Sequence, residues 1–199
     1  MDKVYLEKKS CSGCTACYSA CPRQCITMVR DEEGFSYPQI DASACVSCGA
    51  CKNVCPMSNS SPRVKEEEEA FILRTKDYST WKNSSSGGAF TEICRAFSES
   101  GTIIYGAAFD GLTVKHVAVN GINEIGRLRK SKYVASDIVG IFQNVKKSLE
   151  QGKKVVFSGT PCQVAGLKKY LKHGYENLLT LDLICHGVGS PAVFEDCMK

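Results

Sequence analysis

The sequence predicts a two-part α+β chain: a small, loop-rich, cysteine-bound module at the N-terminus, followed by an α/β domain. Three observations predict it. Nine of the thirteen cysteines fall within the first 55 residues. One cysteine pattern occurs twice there, as CSGCTACYSACP at 11–22 and CVSCGACKNVCP at 45–56, with every cysteine and the final proline in step. Beyond residue 70, short apolar runs alternate with helix-period segments.

Composition narrows the class. At 43% hydrophobic and 23% charged, the 199 residues are those of a globular protein, neither disordered nor fibrous. The net charge is +4. Residues 1–60 balance six basic against six acidic residues, while residues 61–199 carry 19 against 15. Such an excess is too small to argue for nucleic acid, and is compatible with a phosphate-bearing ligand or with nothing special. The N-terminus, MDKVYLEKKSC, lacks the apolar core of a signal peptide, and no stretch approaches the ~18 uncharged apolar residues of a membrane span. A cytoplasmic protein is expected. In a reducing compartment thirteen cysteines suit metal binding or redox chemistry better than disulfides.

Along the chain, residues 26–29 and 35–40 read as short strands around the turn Asp31-Glu32-Glu33-Gly34, so residues 1–60 form one domain of two related halves. Residues 61–69, within the polar run MSNSSPRVKEEEE, read as a linker. The domain at 70–199 then begins with a strand at 70–74 (AFILR). A turn at SSSGG (84–88) leads into a helix at 89–98. Strands follow at 102–109 and 113–120, joined at Asp110-Gly111, then helical pieces near 123–128. A helix at 138–150 has apolar residues at 138, 141, 142, 145 and 149. A strand at 154–158, a helix opened by Pro161 and a buried strand at 178–184 complete the alternation. Pro191 opens a helix that runs to Lys199, so the domain is expected to be incomplete at its C-terminus.

The cysteine spacing carries chemistry. A [4Fe-4S] cube takes four thiolates; C-x2-C-x2-C wraps three of them around one cube, and in two-cluster modules the fourth cysteine, before proline, serves the other cube. One cube is then held by Cys11, Cys14, Cys17 and Cys55, the second by Cys45, Cys48, Cys51 and Cys21. Zinc is the competing reading. Its sites usually join two distant C-x2-C pairs, which evenly stepped cysteines ending in proline fit poorly. Cys25 is one cysteine too many and reads as a packed thiol.

Three features mark the second domain. Ser85, Ser86, Gly87 and Gly88 precede a helix, where glycines allow close backbone approach and a helix N-terminus attracts anions, although a plain Ser/Gly cap explains them as well. Ser158-Gly159-Thr160-Pro161-Cys162-Gln163 ends a strand and places a cysteine in a helix's first turn, which favours thiolate. Cys185-His186-Gly187 again follows a strand. Ligand sites of open α/β sheets lie at such strand ends, so Cys162 and Cys185 can share one site or be two ordinary buried cysteines. Cys94 and Cys197 read as packing residues, His116 and His173 as surface ones.

Taken in order, the two-cluster module, SSGG, Ser131-Lys132-Tyr133-Val134, GTPCQ and ICHG-x-x-SP resemble the beta subunit family of deazaflavin-coenzyme (coenzyme F-420) hydrogenases and dehydrogenases, over nearly the whole chain, with residues 1–60 similar to bacterial-type ferredoxins. The resemblance implies an iron–sulfur flavoprotein passing electrons between two [4Fe-4S] clusters and FAD, then to a deazaflavin or another acceptor. It implies that Ser85, Ser86, Gly87, Gly88, Ser131, Lys132, Tyr133 and Thr160 help hold FAD. Cys162 and Cys185 would lie near the flavin or bind a third [4Fe-4S] cluster. A redox partner protein or a deazaflavin-type coenzyme is the expected partner, with no nucleic acid and no membrane span. The alternative is an electron-carrier or adaptor subunit that delivers electrons to a partner enzyme and has no chemistry of its own.

Overall fold

The computed structural model describes residues 4, 5, 7–58 and 69–199. The expected linker, Glu69 apart, lies outside the described residues. The chain is the mixed α/β protein that the sequence predicts, with a ferredoxin-like N-terminal module and an α/β sheet domain.

In the module, β1 (Ile26–Arg30) and β2 (Ser36–Ile40) pair antiparallel, Ile26 opposite Ile40. Asp31 closes the turn: its carboxylate accepts the N–H groups of Glu33 and Phe35 at 3.1 and 2.9 Å. Each cysteine repeat winds into a short helix, α1 (Ala16–Ala20) and α2 (Ala50–Asn53). Val4, Cys17, Cys25, Ile26 and Ile40 are the buried cluster of this hairpin.

The second domain is built on a four-stranded sheet ordered β4-β3-β5-β6. β3 (Ile103–Asp110) and β4 (Thr113–Asn120) form a hairpin whose loop residues are Gly111 and Leu112. β5 (Val155–Gly159) is buried along its length and runs parallel between β3 and β6 (Leu178–Asp182). Alternate side chains of the sheet serve opposite faces. Tyr105, Val155 and Phe157 pack on α5 (Ile141–Glu150) and α6 (Pro161–Leu171). Ile104 and Val156 pack on the other face, with α4 (Ala89–Phe97) and the 3-10 stretch Ile122–Leu128. α7 (Pro191–Cys197) ends the chain.

The module lies against α5 and α6. Cys14, Ala16 and Val54 join the core cluster of those helices, and Ser19 donates to Gln143 Oε1 at 3.1 Å. At its other end the β1–β2 turn meets the start of α7, where Ala192 N–H and the Ser190 hydroxyl both donate to the Glu33 carbonyl, at 3.2 and 2.6 Å.

Several local expectations change. Residues 70–74 form no strand: Phe71 and Ile72 are 82% and 107% exposed, so their apolar run reflects no sheet position. A helix, α3 (Tyr78–Lys82), follows instead, with Asp77 capping Ser79 and Thr80 N–H. α5 starts at Ile141, because Gly140 at φ +80° sets its beginning. β6 stops at Asp182 and is half-buried, since it is the edge strand.

Candidate functional site

The cysteines of the module separate into two sets. Cys11, Cys14, Cys17 and Cys55 line one small cavity, with Pro56; Cys21, Cys45, Cys48 and Cys51 line another, with Pro22. Both loops need left-handed backbone, at Gly13 and Thr15 in the first and at Ser47 and Gly49 in the second. Among the described residues no group of three or more His, Cys, Asp or Glu converges on a single metal ion. Two four-thiol sets, each around its own cavity, do fit the donor demand of a cube. Burial pushes the thiols of Cys14 and Cys17 up to about 11 and about 12, so thiolates there call for a cationic core beside them. Cys25 is buried and lines the second cavity, its Sγ 3.4 Å from that of Cys21.

Between the module and the carboxyl ends of β5 and β6 lies a cavity of about 620 Å³. Its wall gathers residues far apart in sequence. Ser85, Ser86, Gly87, Gly88, Ser131, Lys132, Thr160, Cys162 and Cys185 all line it, and so does Cys11, which also belongs to the first cysteine set. Ser85 Oγ accepts the Ser131 N–H at 2.8 Å, tying SSGG to SKYV. SKYV is tied in turn to the segment after Cys185: Gly189 N–H donates to the Tyr133 carbonyl and Ala135 N–H to the Gly189 carbonyl, at 3.2 and 3.0 Å. A Cβ on Gly189 would stand 2.6 Å from the Tyr133 oxygen, so only glycine permits the approach.

Two expected residues have a different place. The Tyr133 side chain is 83% exposed and does not line the cavity; its backbone does the work. Gly87 is small for the chain itself: an added Cβ would meet the Leu73 carbonyl oxygen, and Thr75 N–H donates to the Gly87 carbonyl at 2.8 Å.

The wall also contains residues that the motifs did not mark. Arg30, Arg129, Lys130 and Lys132 line it, against Asp137 as the carboxylate among its lining residues. Arg129 Nε donates to Thr91 Oγ1 at 3.1 Å, and Lys132 Nζ donates to the Leu128 and Arg129 carbonyls at 3.0 and 2.6 Å. Desolvation lowers the Lys132 pKa to about 8, leaving it mostly protonated at neutral pH. The run RLRKSK at 127–132 was the signal that could have found this wall.

Beneath the GTPCQ turn, His116 is 5% exposed rather than a surface residue, because β4 turns it toward Phe157, on which it stacks. Its Nε2 faces the Ser158 carbonyl at 3.1 Å, so Nε2 carries the proton and Nδ1 accepts from Ser136 Oγ at 3.0 Å. Ser136 Oγ then accepts from Gln163 Nε2 at 3.1 Å, and Gln163 Oε1 accepts the Thr160 N–H at 3.0 Å. The chain fixes the turn that carries Cys162, whose Sγ lies 3.2 Å from Thr160 Oγ1. Cys94 is fully buried within α4's packing and His173 is exposed, as expected, whereas Cys197 is exposed at the end of α7 rather than packed.

Comparisons with known proteins match two stretches of the chain. Residues 10–59 match the family model of a 4Fe-4S dicluster domain, and residues 37–84 match a second model of that description. Residues 152–199, which hold GTPCQ and ICHG-x-x-SP, match the family model for the C-terminal part of the coenzyme F420 hydrogenase/dehydrogenase beta subunit. A comparison with curated proteins finds no match. Among solved structures, a chain of the F420-reducing [NiFe] hydrogenase complex from Methanosarcina barkeri, from a xenon derivatization study, is similar at a TM-score of 0.46 and 22% identity, over 59% of this chain and 44% of that one. The chain thus spans less than half the length of that relative. Among the described residues no helix is long and apolar enough to cross a membrane.

Proposed function

Because the chain joins a 4Fe-4S dicluster module to a segment of the F420 hydrogenase/dehydrogenase beta-subunit family, we propose that it is an iron–sulfur flavoprotein oxidoreductase. Cys11, Cys14, Cys17 and Cys55 hold one [4Fe-4S] cube, Cys21, Cys45, Cys48 and Cys51 the other, and the large cavity takes FAD. When bound, the cubes supply one-electron transfer and the flavin couples it to hydride chemistry.

The observation that carries the flavin is the charge of the wall. Four basic residues line it with one carboxylate, Asp137, an excess of positive charge that suits a diphosphate, although Arg30 also pairs with Glu195 at 3.8 Å and Lys132 Nζ is held by two backbone carbonyls. Thr91 holds one of them, Arg129, in place. The volume lies within the roughly 300–1,000 Å³ of cofactor sites. Cys11 stands in the wall common to the cavity and the first cysteine set, so the first cube is the one beside the flavin and the second is the outer one. Cys162 and Cys185 flank the cavity, but its described wall adds only Cys11 to them, so a third cube forms no part of the proposal. The acceptor is a redox partner protein or a deazaflavin-type coenzyme, and the setting is the cytoplasm.

Anaerobic purification with iron, sulfide and flavin quantified tests this. About eight irons and one flavin per chain are expected. Arg129→Ala and Lys132→Ala should each weaken flavin binding about tenfold and leave the iron content unchanged. Full iron with no flavin would support the electron-carrier alternative, and zinc without iron would remove both readings.

A further inference from the structure

The two cysteine loops run in step through C-x2-C-x2-C, and in both the residue before the short helix has left-handed backbone, Thr15 at φ +64° and Gly49 at φ +74°. Glycine adopts this conformation freely. For a β-branched residue it is an outlier that the surroundings must hold in place. Capping does not account for the threonine, because its side chain makes no cap hydrogen bond to α1. Packing alone does not account for it either. Thr15 is 2% exposed, and its hydroxyl is fully buried with no hydrogen-bond partner among the described residues. A buried hydroxyl without a partner is costly, and each such case in a folded protein asks for a missing acceptor. Thr15 lines both the cavity of the first cysteine set and the large cavity beside it.

We propose that the Thr15 hydroxyl donates a hydrogen bond to a sulfur of the first cube and so sets the potential of that cube apart from the potential of the second, whose loop has Gly49 at the same step. The assignment rests on Cys11, Cys14, Cys17 and Cys55 holding that cube. Thiolate and sulfide sulfurs accept without donating, which is what a buried orphan hydroxyl between Cys14 and Cys17 lacks. Bonds of this kind to cluster sulfurs are a known lever on potential. The reduced cube carries more negative charge, so the donor favours it, and the bond raises the potential of the cube beside the cavity. An electron arriving at the outer cube is thereby drawn toward the wall that Cys11 lines.

The test is a redox titration of the full chain, followed by electron paramagnetic resonance, on wild type, Thr15→Val and Thr15→Ser, with iron counted in each. Valine keeps the shape and removes the donor; serine keeps the donor. The expected result is a negative shift of one cluster in Thr15→Val, no shift of the other, and a return to the wild-type value in Thr15→Ser. Loss of one cube's iron in Thr15→Val supports the assignment if serine restores it and overturns it if serine does not. Unchanged cluster potentials in Thr15→Val overturn it, as does a shift of the flavin potential alone, which would give the hydroxyl to the flavin. An iron content of about eight in wild type keeps these outcomes separate from failure of the two-cube reading.

Discussion

The N-terminal module and the α/β domain are stabilised by different means. The module's own buried cluster is five residues, two of them cysteines, around a hairpin of five-residue strands and helices of five and four residues. The α/β domain buries Phe142, Phe157, Ile104 and Leu167 completely, on both faces of a four-stranded sheet. The second has a core of its own; the first, on the proposed cube assignment, should draw its order from iron. The difference sets a proposed metal-ordered region against an apolar one within one chain.

Iron removal should give the largest effect. With the cubes stripped by chelator and oxidant, the amides of β1, β2, α1 and α2 should lose their protection from hydrogen exchange almost entirely, because so small a core cannot stand alone. The amides of β3 and β5 should keep most of theirs. Loss of protection in both regions together would show that the α/β core also depends on the metal.

A smaller effect comes from His116, on the apolar side of the comparison. Burial pushes its pKa from 6.5 down to about 4, with the Ser158 carbonyl and the Asp137 carboxylate opposing. The depressed group contributes its full stability above pH 6.5, where it is neutral in both states. As the pH falls from 6.5 to about 4, the unfolded chain takes up a proton that the folded chain does not, and roughly 3 kcal/mol is lost. Denaturant unfolding across this range, followed at the sheet, should show that slope, and His116→Gln should lack it.

What could be read from the sequence divides along the same line. The module was legible because its chemistry is local: ligands three and four residues apart, repeated, with proline after each set. The alternation of the α/β domain was legible from apolar periodicity. The cavity wall was only half legible. GTPCQ and ICHG-x-x-SP announce themselves at strand ends, but Arg30 comes from the module and Arg129 from a loop, and nothing local says that they meet. His116 looked like a surface residue because alternation does not reveal which polar side chain a sheet will bury. The run at 70–74 looked like a strand because apolar content alone does not reveal whether a partner strand exists. Gly87 illustrates the limit most plainly: its small size serves residues 73–75 of the chain, a crossing that no motif encodes.

Where the two regions meet, the expected effect is the smallest, and its sign is informative. Gly166 lies in α6 beneath the module, and a Cβ there would stand 2.9 Å from Cys14 Sγ, 3.2 Å from Cys14 Cβ and 3.4 Å from Phe142 Cε2. Gly166→Ala therefore pushes Cys14, a proposed cube ligand, off the α/β domain, and overpacking of this kind costs about 1–3 kcal/mol. Alanine in mid-helix also gains up to about 1 kcal/mol over glycine. With iron in place the clash outweighs the helix gain, and the variant should be less stable by about 1–2 kcal/mol. With iron removed and the module loosened, Cys14 no longer presses on α6. The same substitution should then be neutral, or stabilising by up to about 1 kcal/mol. Thermal unfolding of both proteins in both states reads the four values. A penalty that persists without iron would mean that Cys14 is held against Gly166 by the apolar core it shares with Ala16 and Val54, and that the boundary between the two kinds of order lies inside the first cysteine loop.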